Sequence, residues 1–285
     1  MRQNIKQYLV RRVHYFIEIY FKCYAMIPRI SRKPCVLILT PGKVGSSSVY
    51  KTLKAQNFAD VFHIHRISQK GVEGSVARHL QSHRKSLPYH LYVSQYLRVK
   101  FKELLNGKLY CITIIREPIS RELSSVFQNL DMHFVDANKG AYTVENCLKV
   151  VQKNLHERPD GGLEEWLNTE LDSTFGIDVM KRTLPSNRPF EITKVKGVRH
   201  LLIRLEDLDQ FYSQAIRELI PDLTQHPLLQ ENVGNRKEYS EVYSLVKSNL
   251  VLPAQTLAAV IESKYFRAFY SESKDSVLAA YSGKR

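Results

Sequence analysis

Cysteine is scarce in this chain. Cys23, Cys35, Cys111 and Cys147 stand apart, with no C-x-x-C spacing. Nothing therefore suggests a zinc ribbon or a disulfide framework, and a reducing, cytoplasmic setting is expected. Long apolar runs are missing too. No stretch of eighteen apolar residues escapes interruption by charge, so no membrane-spanning anchor is expected. Within the first 33 residues Arg11, Arg12, Glu18 and Lys22 break up every apolar segment, which argues against a cleaved signal peptide. Acidic residues are few, 28 against 42 Lys and Arg, leaving a formal charge of +14. That balance favours anionic partners: a nucleotide, an acidic glycan, a membrane surface or nucleic acid. There is no internal repeat and no low-complexity tract. With 285 residues, 44% of them hydrophobic, the chain can bury a substantial core as one large α/β domain, or as two.

One further absence is informative. Residues 36–50 read Val-Leu-Ile-Leu-Thr-Pro-Gly-Lys-Val-Gly-Ser-Ser-Ser-Val-Tyr. An apolar strand runs into a Pro/Gly turn, and three serines stand where a helix begins. The first N–H groups of a helix lack internal partners and carry the positive end of its dipole, so this construction can hold a phosphate. Yet the lysine of an ATP-type loop, which follows the second glycine in G-x-x-x-x-G-K-[ST], is not there. Lys43 precedes Gly45 instead. A second β-rich run, residues 109–115, ends in Arg116-Glu117-Pro118. Pro118 suits the first turn of a helix, which places Ser124 about two turns in.

The Lys-Val-Gly-Ser-Ser-Ser stretch resembles the 5′-phosphosulfate loop of sulfotransferases. Arg116 and Ser124, eight residues apart, resemble the pair that those enzymes place on the 3′-phosphate of their cofactor. The chain is similar in particular to the bacterial branch named for capsular polysaccharide synthesis. The resemblance covers roughly residues 34–270 as a pattern, and its specific part is the two loops. It implies a P-loop-like three-layer α/β domain with a central, mostly parallel sheet flanked by helices. It also implies 3′-phosphoadenosine 5′-phosphosulfate as cofactor, no metal, and a carbohydrate or glycolipid acceptor. Cofactor binding would fall to Lys43, Val44, Gly45, Ser46, Ser47, Ser48, Arg116 and Ser124, with Arg236 and Lys237 from a late basic loop. Lys43 would meet the leaving oxygen.

Along the chain, residues 1–33 read as a basic, aromatic-rich amphipathic helix that packs on the domain or touches an anionic membrane face. Residues 34–285 form the α/β domain. Strands are expected at 35–40, 61–65, 89–93 and 109–115, with helices to about 57, over 70–86 and over 95–106. Residues 131–189 read as a helical, acceptor-side insertion with helices at 143–155 and 162–175. Late strands at 192–195 and 200–205 precede closing helices at 239–250 and 254–270. Ligands of such sheets bind beyond the strands' C-terminal ends, where both loops fall.

Transfer also needs a base, and histidine has the suitable pKa. His63 and His65 lie two apart on a strand and share a face; His90 sits in Tyr-His-x-x-Val-Ser, which resembles a strand of uronyl sulfotransferases. The order of expectation is His65, His63, His90. Two other readings remain at this stage. One is a nucleotide kinase, which the missing lysine disfavours. The other is a non-catalytic basic module that binds a nucleotide, RNA or lipid head groups, which explains the charge and neither loop. On the enzyme reading no nucleic acid partner is expected.

Overall fold

The computed structural model describes residues 30, 33–81, 87–134, 142–185, 187–223, 227–229 and 240–283. The expected helix over 1–33 and the basic pair Arg236 and Lys237 therefore lie outside the described residues, apart from Ile30 and Lys33. In chain order the first half runs β1 (Cys35–Leu39), α1 (Ser46–Ala55), β2 (Asp60–Ile64), α2 (Gln69–Gln81), α3 (Tyr89–Val99), α4 (Phe101–Asn106) and β3 (Leu109–Ile115). After it come α5 (Pro118–Gln128), α6 (Leu130–His133), α7 (Val144–Glu157), α8 (Leu163–Leu167), a π-helical turn (Asn168–Asp172) and α9 (Ser173–Phe175). Strands β4 (Phe190–Val195) and β5 (Val198–Arg204) precede α10 (Leu208–Leu219), α11 (Ser240–Asn249), α12 (Ala254–Glu262), α13 (Lys264–Phe269) and α14 (Lys274–Tyr281).

The strands form one sheet in the order β2-β1-β3-β5-β4, parallel except for the β4–β5 hairpin. Both sheet faces are covered, so β1 is buried along its whole length. Val36 and Ile38 pack toward α1 and α10, while Leu37 and Leu39 pack toward α3, α5, α7 and α12. Lys196 and Gly197 close the hairpin with φ of 46° and 85°, the left-handed pair that a two-residue turn between twisted strands demands. The chain leaves β1 for β2 on one side, then returns to β3 on the other. That reversal opens a crevice beyond the C-terminal ends of β1 and β3.

One expected element is corrected. Residues 89–93, expected as a strand, open helix α3. Tyr-His-Leu-Tyr-Val is rich in strand formers, but Leu91, Ser94 and Leu97 are buried at helical spacing and Tyr92 is buried beside them. Pro88, extended at ψ 145°, caps the helix start. The chain thus has three strands before Arg116, where four were expected. Among the described residues no single helix is long and apolar enough to cross a membrane.

Lys196 occupies its left-handed position against the preference of a side chain with a Cβ. Lys196→Asn should raise the unfolding free energy by up to about 1 kcal/mol, because asparagine tolerates that conformation. Urea denaturation measures it, and a loss of stability would show that Lys196 is held there by something other than the turn.

Candidate active site

The loop after β1 carries its shape in two backbone positions. Lys43 and Gly45 both have φ of 72°. The left-handed Gly45 is the N-cap of α1, and no side chain caps that helix end. A Cβ at Gly45 would meet only the end of the flexible Leu205 side chain, at 2.6 Å, so it is the left-handed conformation that calls for glycine. Val44 turns inward to the core under α1 and α10. Ser46, Ser47 and Ser48 form the first turn of α1.

Helix α5 locks that loop from the neighbouring strand. Arg116, at the end of β3, donates through Nη1 to the Lys43 carbonyl at 3.1 Å. Arg121, one turn into α5, donates through Nε to the Gly42 carbonyl at 3.2 Å and through Nη1 to Gly161 O at 3.2 Å. Two stretches more than seventy residues apart in sequence thus meet at the crevice. Ser124 lies half-buried on α5, three residues beyond Arg121 and so on the same face of the helix.

Glu117 caps α5, accepting from the backbone N–H groups of Ile119 and Ser120 at 2.8 and 2.7 Å. Burial pushes its carboxyl pKa up, while those N–H groups oppose the shift. Glu206, after β5, accepts from the Glu117 backbone N–H at 3.0 Å and from the Tyr270 hydroxyl at 3.1 Å. The Tyr265 hydroxyl donates to Arg116 O at 2.9 Å. Burial holds both tyrosines well above their ordinary pKa, so they remain donors. Together these contacts fix the backbone from which Arg116 reaches the loop.

On the other side of the loop the three expected histidines come together. His63 Nε2 lies 2.8 Å from Ser46 Oγ. The ring centroids of His63 and His65 are 5.2 Å apart, and those of His65 and His90 are 4.8 Å apart. His65 Nδ1 donates to Thr40 O at 2.8 Å, since a carbonyl only accepts, which leaves Nε2 as its acceptor nitrogen. Burial, reinforced by the neighbouring imidazoles, lowers the pKa of His63 to about 3 and of His90 to about 4. His65 is lowered by burial against the opposing effect of its bond to Thr40 O. A cleft of about 210 Å³ between α1, β2 and α3 is lined by His63 and His90, with His65 outside its lining. His200, fully buried where the other three are half-buried, sits in the sheet against Thr113 Oγ1 at 3.0 Å and belongs to the core.

The loop that follows β2 hangs on residues that sequence reading missed. Glu170, fully buried in the π-helical turn, accepts from the backbone N–H groups of Ile67 and Ser68 at 2.7 and 2.8 Å. It also accepts from Ser68 Oγ at 2.9 Å and Arg66 Nη1 at 3.3 Å. Trp166 Nε1 donates to His65 O at 2.9 Å. A Cβ at Gly71 would lie 1.9 Å from Glu170 Oε1, so that glycine makes room for the carboxylate. Neither Trp166 nor Glu170 carries a local motif. The one usable signal was an acidic residue amid the apolar spacing of Leu163, Trp166, Leu167 and Leu171. Among the described residues no group of three or more His, Cys, Asp or Glu could hold a metal ion.

A family model described as "Putative capsular polysaccharide synthesis protein" matches residues 132–271. That span begins beyond both loops and takes in Trp166, Glu170, Glu206, Tyr265 and Tyr270, the residues that brace the site from behind. No curated protein and no solved structure matches the chain.

Glu170→Ala should cost roughly 2–4 kcal/mol, because two buried backbone N–H groups lose an ionic acceptor. Gly71→Ala should act in the same direction by displacing the carboxylate. Chemical denaturation of both variants checks this, and a change within about 0.5 kcal/mol for each, the range of a neutral surface substitution, would show that water replaces Glu170 at no cost. The histidines predict a pH dependence. Their folded-state pKa values of about 3 and 4 lie below the ordinary 6.5, so the unfolded chain binds more protons between those limits. The stabilisation is complete above pH 6.5 and is lost as pH falls through 4 toward 3. A His63→Gln/His90→Gln double variant should show a shallower fall in unfolding free energy between pH 7 and 4. An unchanged slope would place the titration elsewhere.

Proposed function

We propose that the chain is a sulfotransferase that moves a sulfuryl group from 3′-phosphoadenosine 5′-phosphosulfate to a carbohydrate or glycolipid acceptor. A role in capsular or surface polysaccharide synthesis is part of the proposal, supported by the family match to residues 132–271. The observation that carries it is the meeting of Arg116 with the Lys43–Ser48 loop at the reversal of the sheet. The residues present fit a nucleotide with two separate phosphate groups. The uncapped α1 terminus offers backbone N–H groups and serine hydroxyls to one phosphate. For the other, Arg116 offers a guanidinium with five N–H donors, of which the described contacts to its side chain use one. The Thr40 hydroxyl, at the entry to the loop, is buried without a hydrogen-bond partner among the described residues.

On this reading the domain is P-loop-like in its phosphate grip. The backbone of residues 44–48 and the hydroxyls of Ser46, Ser47 and Ser48 hold the 5′-phosphate. Arg116 and Ser124 hold the 3′-phosphate. The bound nucleotide supplies an activated sulfuryl group on a phosphate leaving group. Lys43 stabilises the charge that develops on the leaving oxygen, the kind of preorganised electrostatic help that dominates phosphoryl transfer. His63, which contacts both Ser46 and the cleft, takes the acceptor's proton. An imidazole with a pKa of about 3 is a weak base. Negative charge held at the α1 terminus favours imidazolium and so brings His63 back toward its ordinary range.

Adenosine 3′,5′-bisphosphate should stabilise the fold by roughly 2.7 kcal/mol at 100 times its dissociation constant, and ATP far less. Arg116→Ala should remove the preference for the bisphosphate over adenosine 5′-phosphate, and Arg116→Lys should restore it in part. Thermal shift and isothermal titration read both effects. Equal stabilisation by ATP with Mg²⁺, or an unchanged preference in Arg116→Ala, would contradict the assignment.

A further inference from the structure

The cleft between α1, β2 and α3 has a lining that the phosphate grip does not use. Tyr50 and Tyr89, the apolar Phe62 and Val93, and the imidazoles of His63 and His90 are among its lining residues. Tyr50 stacks near His63 with ring centroids 5.5 Å apart. Tyr89, the first residue of α3, leaves 44% of its surface to solvent. At about 210 Å³ the cleft falls below the roughly 300–1,000 Å³ of pockets for drug-sized ligands. It has room for one ring.

The chemistry of that lining selects the ring. Aromatic faces reward a flat apolar surface, as in rigid tyrosine contacts elsewhere. A neutral imidazole presents one nitrogen as a donor and the other as an acceptor; in His63 the Nε2 already lies 2.8 Å from Ser46 Oγ, which leaves Nδ1 for a ligand. A ligand that fits both has an apolar face and hydroxyls around its edge. A purely apolar ligand would leave the imidazole nitrogens unsatisfied, which costs free energy. A nucleobase offers few donors to them. The cleft also communicates with the donor site, because the Ser46 hydroxyl at the α1 terminus touches His63, which lines the cleft.

We propose that this cleft seats a single pyranose ring of the acceptor, its apolar face against Tyr89 and Tyr50 and a hydroxyl directed at His63 and His90. The orientation toward the loop rests on the sulfotransferase reading; the occupancy of the cleft does not. Tyr89 and Tyr50 then set specificity for a ring that keeps one apolar face, and an axial substituent on that face would weaken binding.

Saturation-transfer NMR with methyl β-D-glucopyranoside and methyl β-D-galactopyranoside tests the proposal on the full chain. Wild type should transfer saturation to ring protons, and Tyr89→Ala and Tyr50→Ala should each weaken binding by about tenfold, the equivalent of 1.4 kcal/mol. Tyr89→Phe should retain it. Circular dichroism and isothermal titration with adenosine 3′,5′-bisphosphate establish that each variant is folded and that its donor site is intact. Failure of wild type to bind either pyranoside overturns the proposal. So does binding that survives both alanine substitutions, or competition by adenosine that disappears with Tyr89→Ala, which would assign the cleft to a nucleobase. Pyranoside binding without bisphosphate binding would leave the cleft standing and remove the sulfotransferase reading. Bisphosphate binding without pyranoside binding would do the reverse.

Discussion

Two arginines of one strand–helix junction hold the carbonyls of a loop that comes from another strand. Arg116 takes Lys43 O and Arg121 takes Gly42 O. The loop needs such an anchor, because two of its residues lie in left-handed conformation and one of them is a lysine. The guanidinium bonds point the carbonyls of 42 and 43 toward α5. The same turn ends in the uncapped start of α1. The β3–α5 side of the site is organised around that arrangement. Glu117, Glu206, Tyr265 and Tyr270 fix the backbone of the Arg-Glu-Pro junction. Arg121 also carries the constraint outward, since its Nη1 donates to the Gly161 carbonyl in the turn before α8.

The second half of the site is built by a different kind of support. Glu170 and Trp166 take hold of the backbone just beyond β2, so the histidine end of the strand is placed by residues a hundred positions later. A π-helical turn presents Glu170, a feature that often accompanies functional sites. The family match covers this brace and the closing helices rather than the loops. The matched span therefore contains part of the support of the site, Glu170 and Trp166 on one side and Glu206, Tyr265 and Tyr270 on the other, while the loops lie outside it.

Much of this was legible in sequence where local physics decides. Val36 to Leu39 and Leu109 to Ile115 are short β-rich runs ended by proline or a charged turn, and both are strands at the sheet's centre. Pro118 opened its helix as expected. The Lys43–Ser48 loop and Arg116 could be picked out because glycine, serine and arginine stand at strand ends. Their contact could not, since the sheet order that joins them is a property of the whole chain. The 89–93 segment was misread because strand propensity there is overridden by burial at helical spacing and by Pro88. Glu170 was invisible for a related reason. Its role is to satisfy distant backbone groups, and no neighbour in sequence announces it.

On the proposed function the two loops form one site for a nucleotide bearing phosphates at both ends of its ribose. A crystal structure of the chain with adenosine 3′,5′-bisphosphate tests it most directly. One phosphate is expected on the backbone N–H groups and serine hydroxyls of 45–48, and the other within hydrogen-bond distance of Arg116 and Ser124. A bisphosphate bound elsewhere, or bound at the loop with its second phosphate turned away from Arg116, would contradict it.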